Sequence, residues 1–198
     1  MKMDKRELMR QIRDEVVNLI SSPLYEERIT NKVFPVIGEG NHDAKIVFIG
    51  EAPGKNEAKT GRPFCGMSGR VLDELLASVN IKRGDVYVTN IVKDRPPFNR
   101  DPLPEEIDIY APFLDRQIDI IQPKILATLG RFSMGYIMKK FGLESELGPI
   151  SELHGKIFEG RASFGKIMIL PLYHPAVAIY NRNTKVVLMK DFEILKSI

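Results

Sequence analysis

The chain has 198 residues, 43% of them apolar, enough to bury the core of one compact domain rather than two. Its net charge of +3, from 29 Lys and Arg against 26 Asp and Glu, is too small an excess to mark a nucleic-acid binder on charge alone. A single cysteine, Cys65, excludes an internal disulfide, and no apolar run approaches the roughly 18 residues of a membrane span. The charged start Met1-Lys2-Met3-Asp4-Lys5-Arg6 lacks the apolar core of a secretory signal. The expected protein is a single domain over residues 1–198, in the cytoplasm and off the membrane.

Leu8, Ile12, Val16 and Leu19 recur at helical spacing, which predicts an amphipathic helix over 3–20 that Ser21-Ser22-Pro23 stops. A poorly periodic stretch ends at the turn-like Gly38-Glu39-Gly40-Asn41. Residues 45–49 read as the first core strand, followed by a Gly-rich loop over 54–66 that is long enough to suspect function. Val71, Leu72, Leu75 and Leu76 define a helix ending near Asn80, and residues 86–89 a second strand. Pro96, Pro97, Pro102 and Pro104 exclude regular structure over 93–104. Pro104-Glu105-Glu106 opens a helix, with Pro at its first position and acids in its first turn.

A third strand at 125–129 leads into a helix from Gly130 through Phe141. Later strands fall at 157–158 and 167–170, and a closing helix over 181–196. Strands alternating with helices predict an α/β fold with a parallel sheet covered on both faces.

Glu51 follows the apolar run Ile46-Val47-Phe48-Ile49 inside Gly50-Glu51-Ala52-Pro53-Gly54. Ligands of open α/β sheets bind at strand ends, so a carboxylate in this tight turn is placed for chemistry. The turn has neither a Gly-x-Gly-x-x-Gly fingerprint nor a phosphate-loop ending, and an ordinary turn with an exposed acid fits it too. Phe64 suits either a core plug or a stacking platform. Asn90, at the end of a strand, suits either a cap or the reading of a base edge. His174, in Tyr173-His174-Pro175, lies on a loop at another strand end. Neither Cys nor His falls at metal-ligand spacing, so no metal is expected.

Taken together these motifs resemble the uracil-DNA glycosylases, closest to the thermostable family 4 group. The resemblance is carried by Gly50-Glu51-Ala52-Pro53-Gly54 with Glu57, by 61–66, by Thr89-Asn90-Ile91-Val92-Lys93, by 95–100, by Pro112-Phe113-Leu114 and by Tyr173-His174-Pro175-Ala176. It implies three layers, α/β/α, around a central, mainly parallel four-stranded sheet, and a monofunctional DNA-repair hydrolase, acting as a monomer, that cleaves the N-glycosidic bond of uracil in single- or double-stranded DNA and leaves an abasic site. Under it Glu51 and His174 are catalytic, with Asn99 a further water- or backbone-positioning candidate. Phe64 stacks on the flipped base, Asn90 reads its edge, Glu57 faces C5, and Gly50 and Ala52 line the pocket. Ala52 stands where some related families carry a catalytic Asp, which leaves the carboxylate role to Glu51.

DNA contacts are expected from Lys93, Arg95, Arg100 and Arg182, with Ile179 or Tyr180 as the inserted wedge where Ala178 is short. The family's four-iron cluster needs four cysteines, and Leu19, Ser22, Asp94 and Tyr110 occupy their places here. No cofactor is therefore expected. Two alternatives remain open at this point. One is a relative specific for hypoxanthine or xanthine, and the other a damage-binding protein without catalysis.

Overall fold

The computed structural model describes residues 4–179 and 181–197. In chain order the elements are α1 (Lys5–Val17), α2 (Tyr25–Thr30), β1 (Glu39–Gly40), β2 (Ile46–Gly50), α3 (Lys55–Thr60) and α4 (Met67–Ser78). There follow β3 (Tyr87–Asn90), α5 (Pro104–Ile121), β4 (Ile125–Leu129), α6 (Arg131–Lys140) and α7 (Ile150–Leu153). β5 (Phe158–Ala162), β6 (Gly165–Leu172) and α8 (Arg182–Phe192) complete the chain.

The six strands form one sheet in the order β1-β3-β2-β4-β6-β5. β3, β2, β4 and β6 are parallel, which is the expected four-stranded core. β1 and β5 add an antiparallel strand at each edge. β1 has only two residues, too few to produce a period-2 pattern, and so left no mark in the sequence.

Side chains alternate across a strand, and that alternation builds the three layers. Val47 and Ile49 of β2, Leu126 of β4 and Ile169 of β6 point to one side, where α1, α5 and α6 supply Ile12, Val16, Phe113, Leu114 and Ile137. Phe48, Ala127 and Leu170 point to the other, where α4 and α8 supply Leu72, Leu75, Leu76, Leu188 and Phe192. Buried on both faces, the central strands read as continuous apolar runs, as parallel strands do.

Two departures from the sequence reading bear on the site. Residues 55–60, expected as loop, form α3, which Gly61 ends at φ 71°. The Pro-rich loop contains one tight turn at Pro97–Asn99, with Phe98 and Asn99 both at φ 56°.

The positions that the resemblance assigns to cluster cysteines are occupied by a packed polar network. Tyr110 Oη donates to Asp94 Oδ2 at 2.5 Å, and its own oxygen lies 2.7 Å from Ser22 Oγ. The phenol has spent its hydrogen on Asp94, so Ser22 is the donor in that pair. Arg28 donates to both Asp94 oxygens, at 3.2 and 2.9 Å, and to the carbonyls of Val16 and Val17 that end α1. Leu19 packs against the neighbouring apolar core. A hydrocarbon, a hydroxyl, a phenol and an engaged carboxylate do not make a thiolate set, and the chain's single cysteine cannot supply one. Among the described residues no group of three or more His, Cys, Asp or Glu is arranged to hold a metal. The network instead ties α1, α2 and α5 to Asp94, at the root of the Pro-rich loop.

Candidate active site

Parallel β2 and β3 end in register, with Gly50 opposite Asn90. β4 and β6 end together with Leu129 opposite Leu172, two residues before His174. These carboxyl ends open into a cavity of about 360 Å³, lined by Glu51, Phe64, Asn90, Asn99 and His174 among others. The sheet thus gathers residues that lie up to 123 positions apart in the chain.

Phe64 is nearly buried and rests against the α4 and α8 side of the core, yet it lines the cavity. One ring thus both packs into the core and faces the cavity. Its backbone is held at φ 48°, and a Cβ on Gly69 would lie 1.8 Å from the Phe64 carbonyl oxygen. Glu57 Oε1 accepts the N–H groups of Cys65 and Gly66 at 3.0 Å each, so this carboxylate braces the Phe64 loop as well as lining the cavity.

Asn90 is buried at the β3 terminus, and its amide makes no hydrogen bond to another side chain among the described residues. The amide therefore keeps a donor and an acceptor for whatever enters the cavity. Gly50 lets it approach, since a Cβ there would collide with the Asn90 amide and the Phe64 ring. Ala52 lines the same wall.

His174 begins the turn after β6, with its ring 5.6 Å from that of Phe64. Burial pulls its pKa down to about 4, so the ring is neutral at pH 7. Its Nδ1 accepts the Ala176 N–H at 3.1 Å, which places the ring proton on Nε2. The result is an uncharged donor. Glu51, half-buried, lines the same cavity, and its pKa is pushed up to about 7, first by burial and then by Asp101, with Arg131 pulling the other way. Near neutrality it exchanges between acid and base. A base with a pKa near 7 opposite a fixed neutral donor can activate water on one side of a scissile bond and stabilise an anion on the other.

Asn99 lines the cavity, and its Oδ1 accepts from Arg95 Nε at 2.6 Å. Arg100 forks onto the buried Glu106 at 2.8 and 2.6 Å, an anchor that also leaves it on the cavity wall. Arg182 is exposed in the first turn of α8. Ile179 packs against the α4 and α8 side of the core, and Tyr180 lies outside the described residues.

Lys93 is a correction. Expected on the DNA-facing surface, it is fully buried, and its Nζ donates to Thr89 Oγ1, the Asn90 carbonyl and Gln117 Oε1 at 2.9, 2.7 and 2.7 Å. Burial draws its pKa down to about 7, and the three acceptors match the three hydrogens of the ammonium. It secures the end of β3 and cannot meet a phosphate. Gln117 was missed at the sequence level because a glutamine within an amphipathic helix reads as surface. Its Nε2 donates to the Ile37 carbonyl at 2.9 Å and to Tyr87 Oη at 3.1 Å beneath the site.

Residues 37–194 match the family profile described as the uracil DNA glycosylase superfamily. A type-4 uracil-DNA glycosylase of Sulfurisphaera tokodaii is 42% identical over 191 residues, covering 96% of this chain and 84% of that protein. One from Saccharolobus solfataricus is 46% identical over 162 residues, covering 81% and 74%. One from Thermotoga maritima is 38% identical over 198 residues, covering 98% and 95%. With the profile spanning most of the sequence, and these relatives matched over most of both chains, this chain belongs to the uracil-DNA glycosylase superfamily.

Proposed function

We propose that the protein is a monofunctional uracil-DNA glycosylase that leaves an abasic site, working as a single-domain monomer inside the cell. The observation that carries this reading is the presence of neutral His174 and half-ionised Glu51 in one cavity walled by Phe64 and Asn90. A base in a duplex must leave the stack to reach such a pocket. Phe64 then stacks on the uracil face, and the Asn90 amide pairs with its N3 and O4 edge. Cytosine presents the opposite donor and acceptor pattern there, and a buried mismatch of that kind discriminates strongly. Glu57 borders the C5 side, where thymine carries its methyl group.

Ionised Glu51 orients a water toward C1′ of the sugar and takes its proton as the C1′–O bond forms. The C1′–N1 bond breaks, and its electron pair passes onto the uracil, spread to O2. His174 Nε2–H donates to that oxygen without surrendering its proton. Loss of a preorganised donor of this kind costs about 10²–10³ in rate. Asn99 positions the water from the cavity wall, and Arg95, Arg100 and Arg182 meet the phosphates. No step requires a metal or a redox group.

A uracil-containing oligonucleotide incubated with the protein and then treated with alkali should be cut at the uracil. His174→Ala and Glu51→Gln should each lose that activity while staying folded by circular dichroism. Absence of product from U:G, U:A and single-stranded substrates at enzyme excess would sink the proposal. The same assay on hypoxanthine and xanthine substrates separates a purine-specific relative, and tight binding without turnover identifies a non-catalytic reader.

A further inference from the structure

Three apolar side chains stand exposed beside residues that line the cavity: Met67 next to Ser68, Val177 next to Ala176, and Phe98 next to Asn99. Phe98 is the largest of them and is 97% exposed. Its backbone is also in a costly conformation. At φ 56° and ψ 19° it lies in the left-handed region, which bulky residues rarely adopt, and Asn99 follows it there.

The loop that holds this ring out is firmly built. The Asn99 N–H donates to the Pro96 carbonyl and the Arg100 N–H to the Pro97 carbonyl, each at 3.1 Å. Arg95 clasps Asn99, Arg100 is forked onto Glu106, and two prolines fix φ at the start of the turn. Stiff anchorage combined with a strained, outward aromatic is what a surface probe needs, because the ring is aimed before any partner arrives.

Among the described residues just after His174, Ala178 is buried, Ile179 packs inward, and the short Val177 is the one that projects. Extruding a nucleotide leaves a gap in the base stack, and proteins that open DNA fill such gaps with apolar wedges, phenylalanine among them. A phenyl face stacks on any base, so it serves at every sequence context. Arg95 and Arg100 bracket the ring in the chain, supplying cations for the flanking phosphates.

We propose that Phe98 is the side chain that enters the base stack beside the extruded nucleotide and supports the base left without a partner. This rests on the glycosylase reading above. In a duplex the wedge holds the gap open. In a single strand there is no paired stack to hold apart, and the ring contributes little.

The test compares Phe98→Ala and Phe98→Trp with the parent protein in single-turnover release of uracil from a U:G duplex and from the same strand unpaired. Phe98→Ala should slow the duplex reaction by about 10-fold or more while the single-strand rate stays within about 2-fold, and Phe98→Trp should keep both. Equal duplex rates for Phe98→Ala and the parent, or an equal loss on both substrates, would overturn the assignment.

A second readout does not depend on turnover. The parent protein bound to a duplex carrying 2-aminopurine beside a hydrolysis-resistant 2′-fluoro uracil nucleotide should change the 2-aminopurine fluorescence, and Phe98→Ala should not. An identical response from both proteins overturns the role of Phe98. Failure of the parent to release uracil from any strand counts against the glycosylase reading alone, and the fluorescence then decides the wedge.

Discussion

A Cβ placed on Gly50 would lie 2.3 Å from the Asn90 Oδ1, closer than any real contact allows. The same atom would meet the Phe64 Cζ at 2.8 Å, so Asn90 and Phe64 share one side-chain-free strand end. Gly50→Ala must push both groups off their positions. A displacement of about 1 Å at a reacting centre costs on the order of 10²-fold, and uracil release should fall by that amount. Single-turnover rates beside a thermal melt check it. A parental rate in this variant would show that the wall has slack.

The carboxylate supplies the pH profile. Glu51 must be ionised to accept a proton from water, and its pKa is pushed up to about 7, so kcat/KM should climb from pH 5.5 and level off above about 8. His174, held down near 4, stays neutral over that range and adds no limb of its own. Asp101→Asn should move the midpoint lower and Arg131→Gln should move it higher, because the first removes a like charge and the second an opposite one. A flat profile from pH 5.5 to 8.5 would remove Glu51 as the base.

Stability follows with the opposite sense. A raised carboxyl pKa favours the folded state while the group keeps its proton, and that contribution fades as pH climbs from about 4.5 to about 7. Glu51→Gln should therefore raise Tm at pH 8 and leave it unchanged at pH 4. Differential scanning calorimetry at the two pH values measures the difference.

Arg28, Asp94, Tyr110 and Ser22 form a buried network centred on the Asp94 carboxylate. Arg28→Met leaves the Asp94 carboxylate buried against Tyr110 alone, and removing one partner of a buried ion pair costs about 3–5 kcal/mol. Tyr110→Phe takes one of two donors from Asp94 Oδ2 and the acceptor from the Ser22 hydroxyl, for about 1–3 kcal/mol. The double variant Arg28→Met/Asp94→Leu, with no charge left to bury, should recover most of the single-variant loss. Urea unfolding curves measure all three.

Lys93 and Arg95 lie two residues apart and should behave oppositely toward DNA. Under the proposed DNA contact, Arg95→Ala should reduce the slope of log affinity against log salt by about 0.7–0.9. Lys93→Met should leave that slope unchanged and instead lower stability by about 1–3 kcal/mol, since Thr89, the Asn90 carbonyl and Gln117 lose their donor. Binding titrations at several salt concentrations separate the two.

The helices and the four parallel strands were legible because each buries enough apolar surface to impose its period over several turns or residues. The short elements, β1, α2, α3 and α7, were not, because each is shorter than the window over which a period can be read. Glu51, Phe64, Asn90 and His174 could be picked out from turn chemistry and strand ends, and the structure brings all four to one cavity. Lys93 was misplaced for a physical reason. Lysine is rarely buried, and acceptors from Thr89, the Asn90 carbonyl and Gln117, four, three and 24 residues away, make its burial tolerable. Sequence carries no trace of such a pairing until the fold is known.

The hold that Asp94, Tyr110, Ser22 and Arg28 exert on the Pro-rich loop is made of the chain's own side chains. It forms as the protein folds and waits on nothing delivered by another machinery. Peroxide and chelators, which dismantle iron centres, find nothing there to strip. The loop that carries Phe98, Asn99 and Arg100 should keep its shape in iron-starved or oxidising surroundings.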